Sequence, residues 1–172
     1  MVSKDVVLAI GLGSFGRELC RILTERGVSV VAVDKSAEAL SQVSGGVGQT
    51  VQAGSTVESS LRAALFGHVK AAIVAIGEDT EAAILTTSLL SDFEVPYILA
   101  RASSQLHMRV LSRVGADEVV NLEIEEGRRI AARLASLDIR ETIPIKERHS
   151  LLETGVPRGF AGKSIRELHL PK

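Results

Sequence analysis

Short runs of Val, Ile, Leu and Ala recur along the chain, separated by segments in which apolar residues return every three or four positions. The runs predict strands over residues 6–10, 28–33, 50–52, 71–75, 97–100 and 118–120. They are nearly unbroken rather than alternating, as in a parallel sheet covered by helices on both faces. The intervening segments predict helices over 14–26, 37–44, 57–65, 79–93 and 104–114. In the last two, Ile84, Leu85, Leu89 and Phe93 share one face, as do Leu106, Val110 and Val114. Gly115 follows as a C-terminal stop. Six strand–helix alternations in about 120 residues predict a doubly wound α/β domain.

A further helix is expected over 124–137, with Ile130, Leu134 and Leu137 on one side. It follows a sheet that is already complete, so its apolar side needs cover. Two covers are open: the chain's own sheet, or a second subunit. Beyond it, "RETIPIKERHSLLETGVPRGFAGKSIRELHLPK" holds three of the four prolines and no long helical period. That is too little for an independent core and reads as the opening of another unit. The expected division is therefore 1–138 for the doubly wound domain with its following helix and 139–172 for a linker and the start of a second one.

Composition narrows the function classes. With 172 residues, 45% of them hydrophobic, the chain can bury one sizeable core. Twenty basic residues against 21 acidic ones give a net charge of −1, and aromatics are 3% with no tryptophan. Neither an electrostatic footprint nor a stacking platform for nucleic acid is expected. Cys20 is the sole cysteine, which rules out an internal disulfide and suits a reducing cytoplasm. Its place inside the first predicted helix points to a packed thiol. Asp5 falls where a secretory leader needs its apolar core, and no run reaches membrane-spanning length. Any membrane role is expected to come through a partner.

The chemistry concentrates in "VVLAIGLGSFGRELC", residues 6–20. Gly11-x-Gly13-x-x-Gly16 follows a strand and opens a helix. Gly11 allows the tight turn, Gly13 lets backbone approach a diphosphate, and Gly16 lets the helix sit close to the sheet. Amide hydrogens and the positive dipole end at the helix start then hold phosphate. Asp34 ends the second strand eighteen residues past Gly16, where a carboxylate accepts from the hydroxyls of an adenosine ribose. It would repel a 2′-phosphate and so disfavours NADP, although adjacent Lys35 softens that. The plainer alternatives are glycines used for packing and a carboxylate that caps the next helix.

Other strand ends contribute at the same carboxyl edge. "AIGEDT", residues 75–80, offers Gly77 for close approach of a base or ribose, and Asp79 as a helix cap. "QAGST", residues 52–56, closes the third strand, and Thr56 reads equally as a cap. Arg101 ends the fifth strand as either a phosphate contact or a solvated charge.

Catalytic signatures are missing. Tyr97 is the only tyrosine, and the residue four places later is Arg101 rather than the lysine of a short-chain dehydrogenase. His68, His107, His149 and His169 lack metal-ligand spacing. Neither a Gly-x-Ser-x-Gly elbow nor a P-loop is present. The sequence carries a cofactor half without a substrate half, which favours a non-catalytic role over a fragment of an NAD-dependent oxidoreductase.

"GLGSFGREL" (11–19), "VVAVDKS" (30–36), "AGSTVESSL" (53–61), "AAIVAIGEDTEAAILTTSLL" (71–90) and "PYILARASSQLHMRVLSRVGADEVVNLE" (96–123) together resemble the KTN/RCK, or TrkA-N, family. These are regulatory cytoplasmic subunits of Trk and Ktr potassium-uptake systems and domains of ligand-gated potassium channels. The resemblance implies a Rossmann-type sheet and a sensor that binds ATP, ADP or NAD(H). It implies dimers formed through the helix at 124–137, often closed into a ring of eight. The ring docks on a membrane-embedded potassium-translocating subunit, from the cytoplasmic side. Nucleotide exchange can bias the pore only by binding two ring shapes with different affinity.

Carried over by position, Gly11, Gly13, Phe15 and Gly16 fall on the phosphate turn and Asp34 on the ribose acceptor. Ser14, Lys35 and Glu78 neighbour these positions. Ala53, Gly54, Ser55, Thr56, Ile76 and Gly77 would flank the adenosine, with Arg101 near the phosphates. Glu123 falls where some relatives hold a divalent cation near the dimer interface. Two departures bear on ligand preference. Ser14 stands where ATP-responsive relatives often carry arginine, and Glu78 adds negative charge at the cleft mouth. "GFAGKSIREL", residues 159–168, resembles the start of the family's small C-terminal ligand-binding domain, which normally continues for dozens of residues.

Overall fold

The computed structural model describes residues 5–56, 58–64, 69–135, 139–146, 149–154, 159–164 and 166–168. Two compact units result, Met1–Leu122 and Glu123–Lys172.

The first unit holds strands β1 (Val6–Ile10), β2 (Ser29–Asp34), β3 (Gln49–Gln52), β4 (Val69–Val74), β5 (Ile98–Arg101) and β6 (Glu118–Val120). Between them lie helices α1 (Ser14–Glu25), α2 (Ala37–Ser41), α3 (Glu58–Ala64), α4 (Thr80–Asp92) and α5 (Gln105–Arg113). The sheet order is β3-β2-β1-β4-β5-β6, parallel throughout. This is the Rossmann order. At its centre Ile10 pairs with Val33 on one side and Val74 on the other. The chain winds outward from β1 to β3, then returns to start again at β4. That reversal opens a crevice beyond the carboxyl ends of β1 and β4.

The unbroken apolar runs are explained by burial on both faces. Leu8, Ile10, Val31, Val33 and Val74 face one core with Leu61, Leu90 and Leu111. On the other face, Ala9, Val30 and Ala32 pack with Leu12, Cys20 and Leu40, and Val7, Ile73 and Ala75 pack with Phe15 and Leu19. Cys20 is accordingly a buried thiol.

Two helices bury other residues more deeply than the face their periodicity suggested, although Ile84, Leu89 and Phe93 of α4 do pack half-buried against the core. In α4 the buried residues are Ala83, Thr86, Thr87 and Leu90, while Leu85 is exposed. In α5 they are His107 and Leu111, while Leu106 is exposed. Small side chains let α4 lie close to the sheet, and the Thr87 hydroxyl donates to the Ala83 carbonyl at 2.7 Å, so its burial leaves no donor unmet. Gly115 ends α5 as expected, at φ +112°; a Cβ there would lie 2.3 Å from Ser91 Oγ.

In the second unit, α6 (Leu122–Ala135) buries none of its residues, and Ile130 and Leu134 are exposed. Leu137 lies outside the described residues. The division at Leu122 places α6 with the C-terminal part, earlier than the boundary expected at 138. Strands β7 (Ile139–Lys146) and β8 (His149–Thr154) then form an antiparallel pair that the sequence reading did not anticipate. Pro144 argues against a sheet interior, but in a two-stranded ribbon every strand is an edge and proline is tolerated.

Candidate functional site

Gly11 leaves β1 at φ +89°, and its amide donates to the Val33 carbonyl at 2.9 Å, so the turn is pinned to β2. A Cβ on Gly16 would sit 2.0 Å from the Gly11 carbonyl oxygen, so α1 can approach the loop only with glycine there. Gly13 is the N-cap of α1 and has no side chain to bond the first-turn amides, nor does that turn hold an acidic residue. By contrast α2, α4 and α5 are capped by Ser36, Asp79 and Ser104. A Cβ on Gly13 would meet nothing within 4 Å. The start of α1 therefore presents bare amides to open space, as a phosphate requires.

That space is a cleft of about 820 Å³ at the sheet's reversal point. Gly11, Gly13, Ser14, Asp34 and Lys35 line it on one side, and Ala53, Gly54, Ser55 and Thr56 on another. Ile76, Gly77, Glu78 and Arg101 complete it. Thirteen of the fifteen binding residues expected from the sequence thus converge on one crevice.

Asp34 is committed to backbone. Its Oδ2 accepts from the Leu12 amide at 2.6 Å and its Oδ1 from the Ser36 amide at 2.8 Å. One bond fixes the glycine loop and the other the turn into α2, leaving further lone pairs of the same oxygens for a ligand hydroxyl. Across the cleft, the buried Thr86 hydroxyl donates to the Ser55 carbonyl at 3.2 Å and ties the β3–α3 loop to α4. Asp79 caps α4 as expected, accepting from the Ala82 amide at 2.9 Å.

Some expected roles change. A Cβ on Gly77 would lie 2.7 Å from Arg101 Nη1. The Arg101 guanidinium thus lies over Gly77, which itself lines the cleft. Arg101 is half-buried against it, not a solvated charge. Phe15 does not line the cleft but packs on the Val7, Ile73 and Ala75 cluster, where it anchors α1. Gly16 is buried behind the loop. Glu123 is exposed in the first turn of α6. Among the described residues no group of three or more His, Cys, Asp or Glu gathers to hold a metal ion.

Nine further lining residues were not expected at the site: Ile10, Leu12, Arg17, Val33, Ala75, Asp79, Glu81, Ala82 and Leu85. Arg17 Nη1 donates to the Leu12 carbonyl at 2.7 Å. The cleft wall thus mixes carboxylates (Asp34, Glu78, Asp79, Glu81) with cations (Arg17, Lys35, Arg101). A second cleft of about 550 Å³ runs between α1 and residues 42–47, and shares Ser14 and Arg17 with the first.

Residues 7–122 match the model of the TrkA-N domain. The chain belongs to the TrkA-N domain family. This TrkA-N chain is 35% identical over 167 residues to Ktr system potassium uptake protein C of Bacillus subtilis (strain 168), covering 97% of itself and 76% of that protein. The NAD(P)-binding domain of an exopolyphosphatase-related protein from Archaeoglobus fulgidus superposes with a TM-score of 0.65 at 28% identity, over 75% of this chain and 96% of that one. GsuK bound to ADP (TM-score 0.64, 18% identity, 78% of this chain and 35% of that one) shares the fold. So does the GsuK channel bound to NAD (0.62, 18%, 83% and 25%). Among the described residues no helix is long and apolar enough to cross a membrane.

Proposed function

We propose that this TrkA-N chain is a non-catalytic sensor of an adenine nucleotide or NAD(H) that regulates potassium uptake. One observation carries the reading: α1 offers uncapped amides to a cleft beside Asp34, within a chain similar along 97% of its length to a Ktr potassium-uptake protein. The solved relatives of the same fold that are bound to ADP and NAD support that ligand class. In this reading Gly11, Gly13 and Ser14 hold the diphosphate through backbone, Asp34 takes the ribose, and Ala53–Thr56 with Ile76 flank the base. The ligand would be retained rather than converted, in keeping with the missing dehydrogenase, elbow and P-loop signatures.

The regulatory output is assigned to α6, whose exposed Ile130 and Leu134 would be covered by a second copy. Dimers closing into a ring would then bear on a membrane-embedded potassium-translocating subunit at the cytoplasmic face. A divalent cation at Glu123 would need ligands from that second copy.

A thermal-shift panel with ATP, ADP, AMP, NAD and NADH tests the ligand class. At a hundred times its dissociation constant a true ligand adds about 2.7 kcal/mol, which raises Tm by about 5–10 °C in a chain of this size. No shift with any of the five would overturn the reading. Oxidation of NADH by added acceptors would instead support the oxidoreductase.

A further inference from the structure

We infer that Arg17 is the residue by which this cleft reads the phosphate charge of its ligand; the inference rests on the nucleotide reading above. Two arginines stand one turn apart on α1, and their surroundings differ. Arg21 is exposed and paired with both Glu18 and Glu25. Arg17 is half-buried, lines the cleft, and forms no ion pair among the described residues. Its neighbour Glu18 bonds Arg21 instead, since adjacent helix positions do not face each other. The Arg17 guanidinium therefore keeps its whole charge within a site that also lies at the positive end of α1.

The Leu12 carbonyl explains how that charge is held. It accepts from Nη1 at 2.7 Å, which fixes the plane of the guanidinium on the glycine loop. A guanidinium has five donors, so four stay available to a ligand in the fork geometry that suits phosphate oxygens. Nothing needs to be broken for Arg17 to engage. The neighbouring cleft on its far side leaves room for adjustment without displacing packed atoms. Ser14, the other residue common to both clefts, supplies no charge.

A purely structural Arg17 would act on every ligand alike, through the Leu12 loop. A charge-reading Arg17 acts only on ligands that carry phosphate, and salt screens its contribution. The experiment is calorimetric titration of wild type, Arg17→Ala and Arg17→Lys with ADP and with adenosine, the ADP series repeated across KCl concentrations. The expected result is a roughly tenfold to hundredfold loss of ADP affinity in Arg17→Ala. Adenosine affinity should stay within about twofold, salt dependence should flatten, and Arg17→Lys should recover part of the loss. Equal weakening of both ligands, or a salt dependence that matches wild type, would overturn the inference in favour of a loop buttress. An ADP affinity unchanged in Arg17→Ala would overturn it outright. Failure of the wild-type chain to bind either ligand is a separate outcome, and defeats the nucleotide reading itself.

Discussion

The Leu12 amide and the Asp34 carboxylate, 22 residues apart in sequence, meet at 2.6 Å. The end of β2 thereby holds the loop that leaves β1, and the same side chain also accepts from the Ser36 amide. Asp34 has a structural duty alongside the one proposed for it toward ribose.

Asp34→Ala should consequently lose stability as well as affinity. Stranding the Leu12 and Ser36 amides costs about 1–3 kcal/mol. Urea titration should show that loss, and calorimetry should show weakened nucleotide binding in the part that stays folded. Asp34→Asn, which keeps one acceptor oxygen, should fall between the two. A fully stable Asp34→Ala would mean that the Leu12 contact contributes nothing.

Gly13 and Gly16 separate the needs of binding from those of folding. Gly13 has φ −63° and open space where a Cβ would stand. Gly13→Ala should melt within about 0.5 kcal/mol of wild type and yet exclude ligand from the amides. In Gly16→Ala the new methyl would meet the Gly11 carbonyl, and overpacking against backbone should cost about 1–3 kcal/mol or more. Thermal melts with and without ADP read both effects.

These glycines show what the sequence made legible. The strand runs, the order of elements and the glycine turn were all readable, because burial on two faces writes continuous apolar strands and a tight turn demands glycine. The most deeply buried positions of α4 and α5 were not. Hydrophobic periodicity favours large side chains, whereas Ala83, Thr86 and Thr87 are buried because they are small and meet their own hydrogen bonds. Arg17 was invisible for a related reason: in a string of letters, an arginine on an amphipathic helix looks like a solvated face. The contact of Arg101 with Gly77 was hidden similarly, since only the fold brings the two together.

His107 predicts a response to acid. It is buried, its Nδ1 accepts from the Ser103 amide at 3.2 Å, and burial lowers its pKa below the usual 6.5. The unfolded chain then binds a proton that the folded one refuses, so stability is full above about 6.5 and falls as pH drops below it. Urea midpoints at pH 7.5 and 5.5 should differ more for wild type than for His107→Asn, which keeps an acceptor toward Ser103.

Cys20 gives the mirror case. Burial pushes its thiol from 9.0 up to about 11, so the folded chain resists forming thiolate. Stability from this group is complete below pH 9 and is lost as pH rises through 11. At neutral pH a thiol reagent should label the native protein far more slowly than the urea-unfolded one. Equal rates would show that the site opens freely.

For α6, exchanging Ile130 and Leu134 for Ser should leave the single chain's melting nearly unchanged, since both are exposed. Light scattering should nevertheless show loss of the dimer proposed to form through this face. A dimer that survives both exchanges uses another surface.

The Thr86–Ser55 bond has a mechanical consequence. It links the two banks of the crevice, so swinging either outward alone breaks this bond, at a cost of about 1 kcal/mol. An occupant that wedges the banks apart would therefore work against this brace, whereas one that spans them would find it already in place.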